Sequence, residues 1–405
     1  FVPFGALLNL DGVVAFFGGA TGLFTSSMIV AVLASLYISL GMRAYARIQK
    51  ICFYGGLVGL AAMILVLLVF SQQDFVSSFN REAQQLFGAG GNAYQQTVRA
   101  GEEAGGIQTG SAIYPTLLLI PFLAFFNLYS NWGATLYGEV RGASDFRKNI
   151  YAMAGALLFT SAAAAVLLLL FAKTFGWDFY YGANAAFWAG SGPIAAWPYP
   201  GLLAAMLFDN PILQLLLVAV MALWFFGWVG SVFLSSTRVV FATAFDRVLP
   251  EWVSRTSNNG VPYAALLLML IPSIPISYMY AFGESFATWT LNATLVIALT
   301  FLGSAVAAAV LPWRRPDIYN ASPIARYTIL GIPLITVSAT AFGLFAVFCL
   351  YQWMTNDVYG LNNVSSFIYL SGLYVHALAI YVGFRLYRRT QGIDLNMVYT
   401  EIPED

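Results

Sequence analysis

Nine runs of apolar residues, each long enough to cross a lipid bilayer, leave this chain little choice of solvent. They cover approximately residues 21 to 45, 50 to 71, 114 to 137, 149 to 172, 209 to 244, 262 to 281, 286 to 311, 327 to 353 and 366 to 387. About 20 apolar residues at about 1.5 Å each match the thickness of the hydrocarbon core. Lipid does not tolerate unpaired backbone N–H and C=O groups, so every run is expected as a helix and not as a strand of an open sheet. The composition agrees: 60% of the 405 residues are hydrophobic and only 9% are charged, against about a quarter charged in soluble domains. With a formal net charge of zero, the chain has no basic face for nucleic acid and no solvated acidic tail. Cys52 and Cys349 sit singly in apolar runs without CxxC or Cys/His spacing, so free, packed thiols are expected, with no metal and no cofactor.

The cations separate by side of the membrane. Alternate loops carry Arg43, Arg47 and Lys50, then Arg141, Arg147 and Lys148, then Arg238, Arg247 and Arg255, then Arg314, Arg315 and Arg326, and lastly Arg385, Arg388 and Arg389, which is 15 of the 18 Lys and Arg. The other side holds only Arg81, Arg99 and Lys173. Cytoplasmic loops are the Lys/Arg-rich ones, so the C-terminus is expected in the cytoplasm. Nine crossings then put Phe1 outside. The chain starts without Met and without a basic region ahead of an apolar core, so no signal peptide is expected and upstream spans are expected to be absent.

Two segments on the cation-poor side exceed simple loops. Residues 72 to 113 contain Gln84, Gln85, Gln95 and Gln96, with a short surface helix expected before Gly101. Residues 174 to 208 carry Trp177, Phe179, Tyr180, Tyr181, Phe187, Trp188, Trp197 and Tyr199. These aromatics suit either an interfacial belt or a lid over a solute path.

Polar groups at membrane depth are costly and therefore candidates for function. The third run holds the densest group, Phe126-Asn127-Leu128-Tyr129-Ser130-Asn131-Trp132-Gly133. A helix broken there would expose backbone N–H and C=O groups able to hold the carboxylate and ammonium of a zwitterion. The competing reading is hydrogen bonding between helices of a bundle. In the fifth run, hydroxyls at Ser231, Ser235 and Ser236 are hard oxygen donors suited to a small cation. Serine in a span also commonly bonds to the carbonyl one turn back. His376, the one histidine, lies in the last run without neighbouring carboxylates, which suits packing or an interface better than metal or acid–base chemistry.

Two stretches carry a family resemblance. Ser236-Thr237-Arg238, Phe241-Ala242, Asp246-Arg247, Leu249-Pro250 and Gly260-Val261-Pro262 resemble the end of the eighth span and following loop of permeases of the amino acid-polyamine-organocation superfamily. Gly138-Glu139-Val140-Arg141, with Lys148-Asn149, resembles the inner end of that family's sixth span. The two lie 99 residues apart, from Glu139 to Arg238. The resemblance extends over essentially the whole chain and places the nine runs on spans four to twelve of twelve, with the N-terminal spans missing. It implies an all-α membrane bundle of two inverted five-helix repeats, nine of twelve helices being present. The corresponding organisation is 1–71 as the end of the first repeat, 72–113 as an outer loop, 114–311 as the second repeat including the outer loop 174–208, 312–389 as spans eleven and twelve, and 390–405 as a cytoplasmic tail.

The resemblance also implies a solute site at Phe126, Asn127, Tyr129, Ser130, Asn131, Trp132 and Gly133; Trp228 is expected to face the solute or cation from the fifth run, Ser231, Ser235 and Ser236 are the candidate cation site by their oxygens, and Glu139 with Arg238, at the inner boundary in this mapping, suit either an inner gate or ordinary interfacial solvation. Where the family has a Gly-Phe-acidic step this chain reads Tyr129-Ser130-Asn131, and a lysine often found in the fifth span aligns near Gly55-Gly56, so proton, sodium and exchange coupling all stay open. The expected function is secondary active transport of amino acids or related organic cations and zwitterions across the plasma membrane by alternating access. A membrane-embedded amino-acid sensor is the alternative. An enzyme is not expected: there is no HExxH, GxSxG or phosphate loop, and the acids gather in loops and termini.

Overall fold

Helix dominates, as a chain solvated by hydrocarbon requires. The structure, a computed structural model, describes residues 1–105, 113–128, 133, 135, 136, 142, 145–283 and 286–396. Val2–Leu7 (α1) and Asp11–Gly18 (α2) precede Ala20–Ser39 (α3) and Met42–Val69 (α4). Gln72–Phe87 (α5) and Ala93–Glu103 (α6) follow, then Ile113–Asn127 (α7), Phe146–Thr174 (α8), Trp177–Trp188 (α9), Pro200–Ala205 (α10) and Pro211–Phe245 (α11). Tyr263–Phe282 (α12), Phe286–Arg314 (α13), Pro316–Ala321 (α14), Leu334–Thr355 (α15) and Val364–Thr390 (α16) complete the helices. Ahead of α15, Thr328–Ile329 (β1) pairs antiparallel with Ile332–Pro333 (β2), a two-residue hairpin in a fold otherwise helical.

Among the described residues eight helices are long and apolar enough to cross a membrane: α3, α4, α8, α11, α12, α13, α15 and α16. The third apolar run is represented by the 15-residue α7. One boundary differs from the sequence reading. The first two runs divide at Leu40–Gly41 and not at residues 46 to 49, so Arg43, Arg47, Gln49 and Lys50 ride on the opening turns of α4. Gly41 makes the break, with a φ of 95° that a side chain would strain.

The chain forms two compact units. The first comprises Phe1–Gly110, Leu158–Ala244 and Glu251–Phe282. In it α4 runs antiparallel to α11: Gly59 faces Val220 and Met221, Gly55 faces Leu223, and Gly227 faces Cys52. Small residues let membrane helices approach closely. Helix α12 packs on α3, with Phe24 edge-on to Tyr278 at 5.9 Å.

At one end of this unit α5, α6, α9 and α10 build a cap. Helix α5 starts with a capping box in which Ser71 and Asp74 bond reciprocally. Phe75, Phe79, Phe175 and Phe179 are fully buried in one core with Leu67, Leu203 and Met206. Phe179 stacks on Tyr94 at 4.6 Å and meets Phe79 at 4.8 Å. Gly101 of α6 lies directly against Gly182 of α9, where any side chain would collide with backbone. The aromatic segment 174–208 is therefore divided between two roles: Phe179 is buried in the core, whereas Trp177, Tyr181, Trp188 and Trp197 stay exposed.

The cap also accounts for two of the three cations on the cation-poor side. Lys173 Nζ donates to the carbonyls of Leu67, Leu68 and Phe70 at 2.9, 2.9 and 2.8 Å, closing the end of α4. Carbonyls in a helix's last turn have no partners of their own, and a cation there also complements the helix dipole. Arg81 pairs with Glu82 and Asp209, and Glu82 accepts from Gln214 on α11 at 3.1 Å.

The second unit comprises Ser111–Leu157, Phe245–Pro250 and Gly283–Asp405. Its centre is the α13–α15 pair, joined near one end by a bond from Thr336 Oγ1 to the Ala309 carbonyl at 2.9 Å. Ala124 of α7, Leu295 and Ala298 of α13, and Cys349 and Trp353 of α15 form one core, with Leu128 packed on it. Tyr359 reaches the Leu118 carbonyl at 2.7 Å. Arg388, only 4% exposed, draws the segment after α11 onto α16 by donating to the carbonyls of Arg247 and Leu249.

Candidate functional site

Helix α7 delivers the polar cluster of the third run. It is apolar from Ile113 to Phe126, and Pro121 removes the N–H that the Leu117 carbonyl would otherwise accept. The α-helix ends at Asn127, Leu128 is already in a turn, and the backbone at Gly133, Thr135 and Leu136 has the tighter 3₁₀ form. A helix stopping there leaves carbonyls of its last turn without intrahelical partners. Tyr129, Ser130, Asn131, Trp132 and Glu139 lie outside the described residues. The Asn127 side chain bonds within its own helix, its Nδ2 donating to the Leu123 carbonyl one turn back at 3.0 Å. Asn127 and Leu128 nonetheless stand on the wall of a cavity of about 920 Å³ within the second unit, together with Ser304 of α13 and Ser338 and Phe342 of α15.

The remaining candidates of the sequence lie on α11 in the first unit. Trp228 and Ser231 line a cavity of about 400 Å³ with Gln49, Phe53, Trp224 and Phe225. Ser231 donates to the Gly227 carbonyl at 3.1 Å and accepts from the Tyr45 hydroxyl at 3.4 Å. Gln49 donates to that same Gly227 carbonyl at 2.8 Å. Ser231 and Ser235 are one turn apart on one stripe of α11, while Ser236 points about 100° away; Ser235 is buried and Ser236 half-buried. The structure thus places Ser231 in a hydroxyl–amide network of α4 and α11. Among the described residues no group of His, Cys, Asp and Glu is arranged to hold a metal ion.

Arg238 is half-buried on α11, and its proposed partner Glu139 is among the residues not described. His376 is exposed on α16. Asp145 precedes α8 and accepts from the backbone N–H of Lys148 at 3.3 Å, with the ammonium of Lys148 also at 3.3 Å. Those contacts hold its carboxyl below the usual range.

Three polar residues escaped the sequence reading. Tyr45 closes the first apolar run and Gln49 falls between the first two, whereas the break at Gly41 puts both inside α4. Asn292, the one amide of α13, is completely buried and has no hydrogen-bond partner on Nδ2 or Oδ1 among the described residues. Its signal was available, since a lone amide in an apolar run is unusual.

A family model described as amino acid permease matches residues 2–380. No curated protein matches the chain. The family match corrects one expectation, the assignment of the nine runs to spans four to twelve with the N-terminal spans missing. The match begins at residue 2 and membrane-length helices begin at Ala20, so the family's pattern is present from close to Phe1 onward. The error has a simple cause. Alternating charge reports which side each loop faces, and two motifs in register report their mutual spacing, but neither fixes the ordinal number of a span. The cluster at Phe126 to Gly133 consequently rests on its own residues and on the end of α7.

Proposed function

We propose that this protein, which belongs to the amino acid permease family, moves amino acids or related organic cations and zwitterions across the plasma membrane by alternating access. Membership makes it a multi-pass solute-transport protein and not an enzyme. The observation that supports a particular solute site is the end of α7 at Asn127, at the head of the polar cluster and beside a cavity large enough for an amino acid. Phe126, Asn127, Tyr129, Ser130, Asn131, Trp132 and Gly133 are the residues we assign to solute binding. Backbone groups freed where the helix stops suit the carboxylate and ammonium of a zwitterion, because the dipoles are already oriented and need no reorganisation. Trp228, with Ser231, Ser235 and Ser236, is a separate candidate locus for solute or cation in the first unit. The 15-to-3 division of cations supports a cytoplasmic C-terminus.

Uptake by the purified full chain in proteoliposomes, screened over amino acids with and without sodium and a pH gradient, tests the activity and assigns the coupling ion. Replacing Asn131→Leu is expected to reduce solute-dependent thermal stabilisation at least tenfold in apparent affinity while leaving membrane insertion intact. Unchanged binding by that variant rejects the site. Saturable binding without flux under every gradient would make the protein a sensor.

A further inference from the structure

The cavity at the end of α7 lies wholly within the second unit, and its two main walls are stripes of facing helices. Phe301, Ser304, Ala305 and Ala308 share one face of α13, and Ile335, Ser338, Ala339 and Phe342 share one face of α15. The two helices run in opposite directions: Gly343 faces Leu302 and Ala305, whereas Thr336 bonds to the Ala309 carbonyl. Helix α7 comes in along α13, Ala124 sharing a core with Leu295 and Ala298, and a turn later Asn127 and Leu128 enter the cavity wall. These levels put Phe301 and Phe342 toward the end of α7, with Ala308, Ile335 and Ser338 a turn or more beyond.

The chemistry of this space is one-sided. Among the described residues, none that lines it is Asp, Glu, Lys, Arg or His, and its polar side chains are Asn127, Ser304 and Ser338. Asn127 and Ser304 already donate to carbonyls one turn back, at 3.0 and 3.2 Å. A charged side chain entering here would leave water without meeting a counter-charge, which is costly at low dielectric. An apolar side chain gains by the same transfer. Size points the same way. At about 920 Å³ the cavity is far larger than a methyl or hydroxymethyl group, so a small solute would leave its aromatic walls without contacts.

We propose that the α13–α15 wall is the side-chain subsite of the solute site at the end of α7, and that it selects amino acids with large apolar side chains over charged and small ones. Phe301 and Phe342 flank the side chain, and Ala308 sets how far it reaches. The proposal rests on the assignment of solute binding to the end of α7 and names the substrate class taken there.

The test measures thermal stabilisation and uptake by the full chain with L-phenylalanine, L-leucine, L-alanine, L-lysine and L-glutamate. Wild type should bind phenylalanine or leucine at least tenfold more tightly than alanine, as added apolar groups give in an apolar pocket, and should not respond to lysine or glutamate. Ala308→Phe fills the far part of the wall and should lower the ratio of phenylalanine to alanine affinity at least tenfold. A purely structural effect would weaken both amino acids alike and leave that ratio unchanged. Ser338→Asp supplies a counter-charge and should bring a response to lysine. Should Ala308→Phe not purify as a monodisperse protein, Ala339→Leu narrows the same wall and is read by the same ratio. The inference is overturned by a wild type without the large apolar preference, by a Ser338→Asp protein that still ignores lysine, or by an unchanged ratio, the result expected if a lipid acyl chain fills the cavity. In each of those cases saturable uptake of any amino acid leaves the permease reading standing. A wild type that neither binds nor moves any amino acid overturns both.

Discussion

In the cap of the first unit, nearly every polar group near the core has a partner: Lys173 and Thr174 meet the end of α4, Tyr94 accepts from Gln72 and donates to the Phe175 carbonyl, and Glu82 meets Arg81 and Gln214. In the second unit α7 stops within an apolar run, and Asn292 of α13 is buried with no hydrogen-bond partner among the described residues. The difference separates a region organised for rigidity from one organised for exchange of partners. Hydrogen bonds that are already made hold a structure in one state, whereas groups left unmet at membrane depth are costly and persist where something else is meant to meet them.

If the cap is a rigid body built on its aromatic core, Phe179→Ala should produce the largest loss, about 3–5 kcal/mol, as expected for truncating a buried phenylalanine. Hydrogen exchange resolved by peptide should show the loosening in α5, α6 and α9, with the second unit unchanged. Exchange that rises equally in both units would dissolve the contrast. Lys173→Met should have a smaller effect, about 1 kcal/mol, because the ammonium is exposed to solvent even though it caps three carbonyls. Faster exchange at the last turn of α4 is its signature, and an unaffected turn would show that the clamp is ornamental.

The smallest effect is one of pH. Hydrogen bonds from the Ser71 hydroxyl and backbone hold the Asp74 carboxyl below its usual range. A carboxylate depressed in the folded state contributes stability that is present above its unfolded value and is lost as pH falls through its folded value. Cap stability should therefore be level near neutrality and decline below about pH 4, the ordinary aspartate value. Ser71→Ala should flatten that decline, and a slope identical to wild type would remove the capping box from the account.

Much of this was legible in the residues. Eight membrane-length helices fall on eight of the nine apolar runs, since hydrophobic length is a local property that the bilayer reads directly. The candidate at Asn127 was visible as the start of a polar cluster, and α7 does end there. Asn292 was equally present in the sequence, but nothing in its neighbours distinguishes an amide bonded across helices from one left alone. The division between α3 and α4 was misplaced because Arg43, Arg47, Gln49 and Lys50 read as loop residues, although a helix end in the interfacial region accommodates them readily.

The residues by themselves determined the solvent, most of the spans and the cation asymmetry, which depend on composition over windows of about 20 positions and the loops between them, while two short motifs carried the resemblance to a permease. Tertiary structure alone decided that Phe75, Phe79, Phe175 and Phe179 form one core, that Lys173 belongs to the end of α4, and that Asn292 has no hydrogen-bond partner among the described residues. Those facts join positions up to about a hundred residues apart, as Lys173 and Phe70 are. Partnership at such range is set by which surfaces pack together, and no local pattern of hydropathy or charge encodes it.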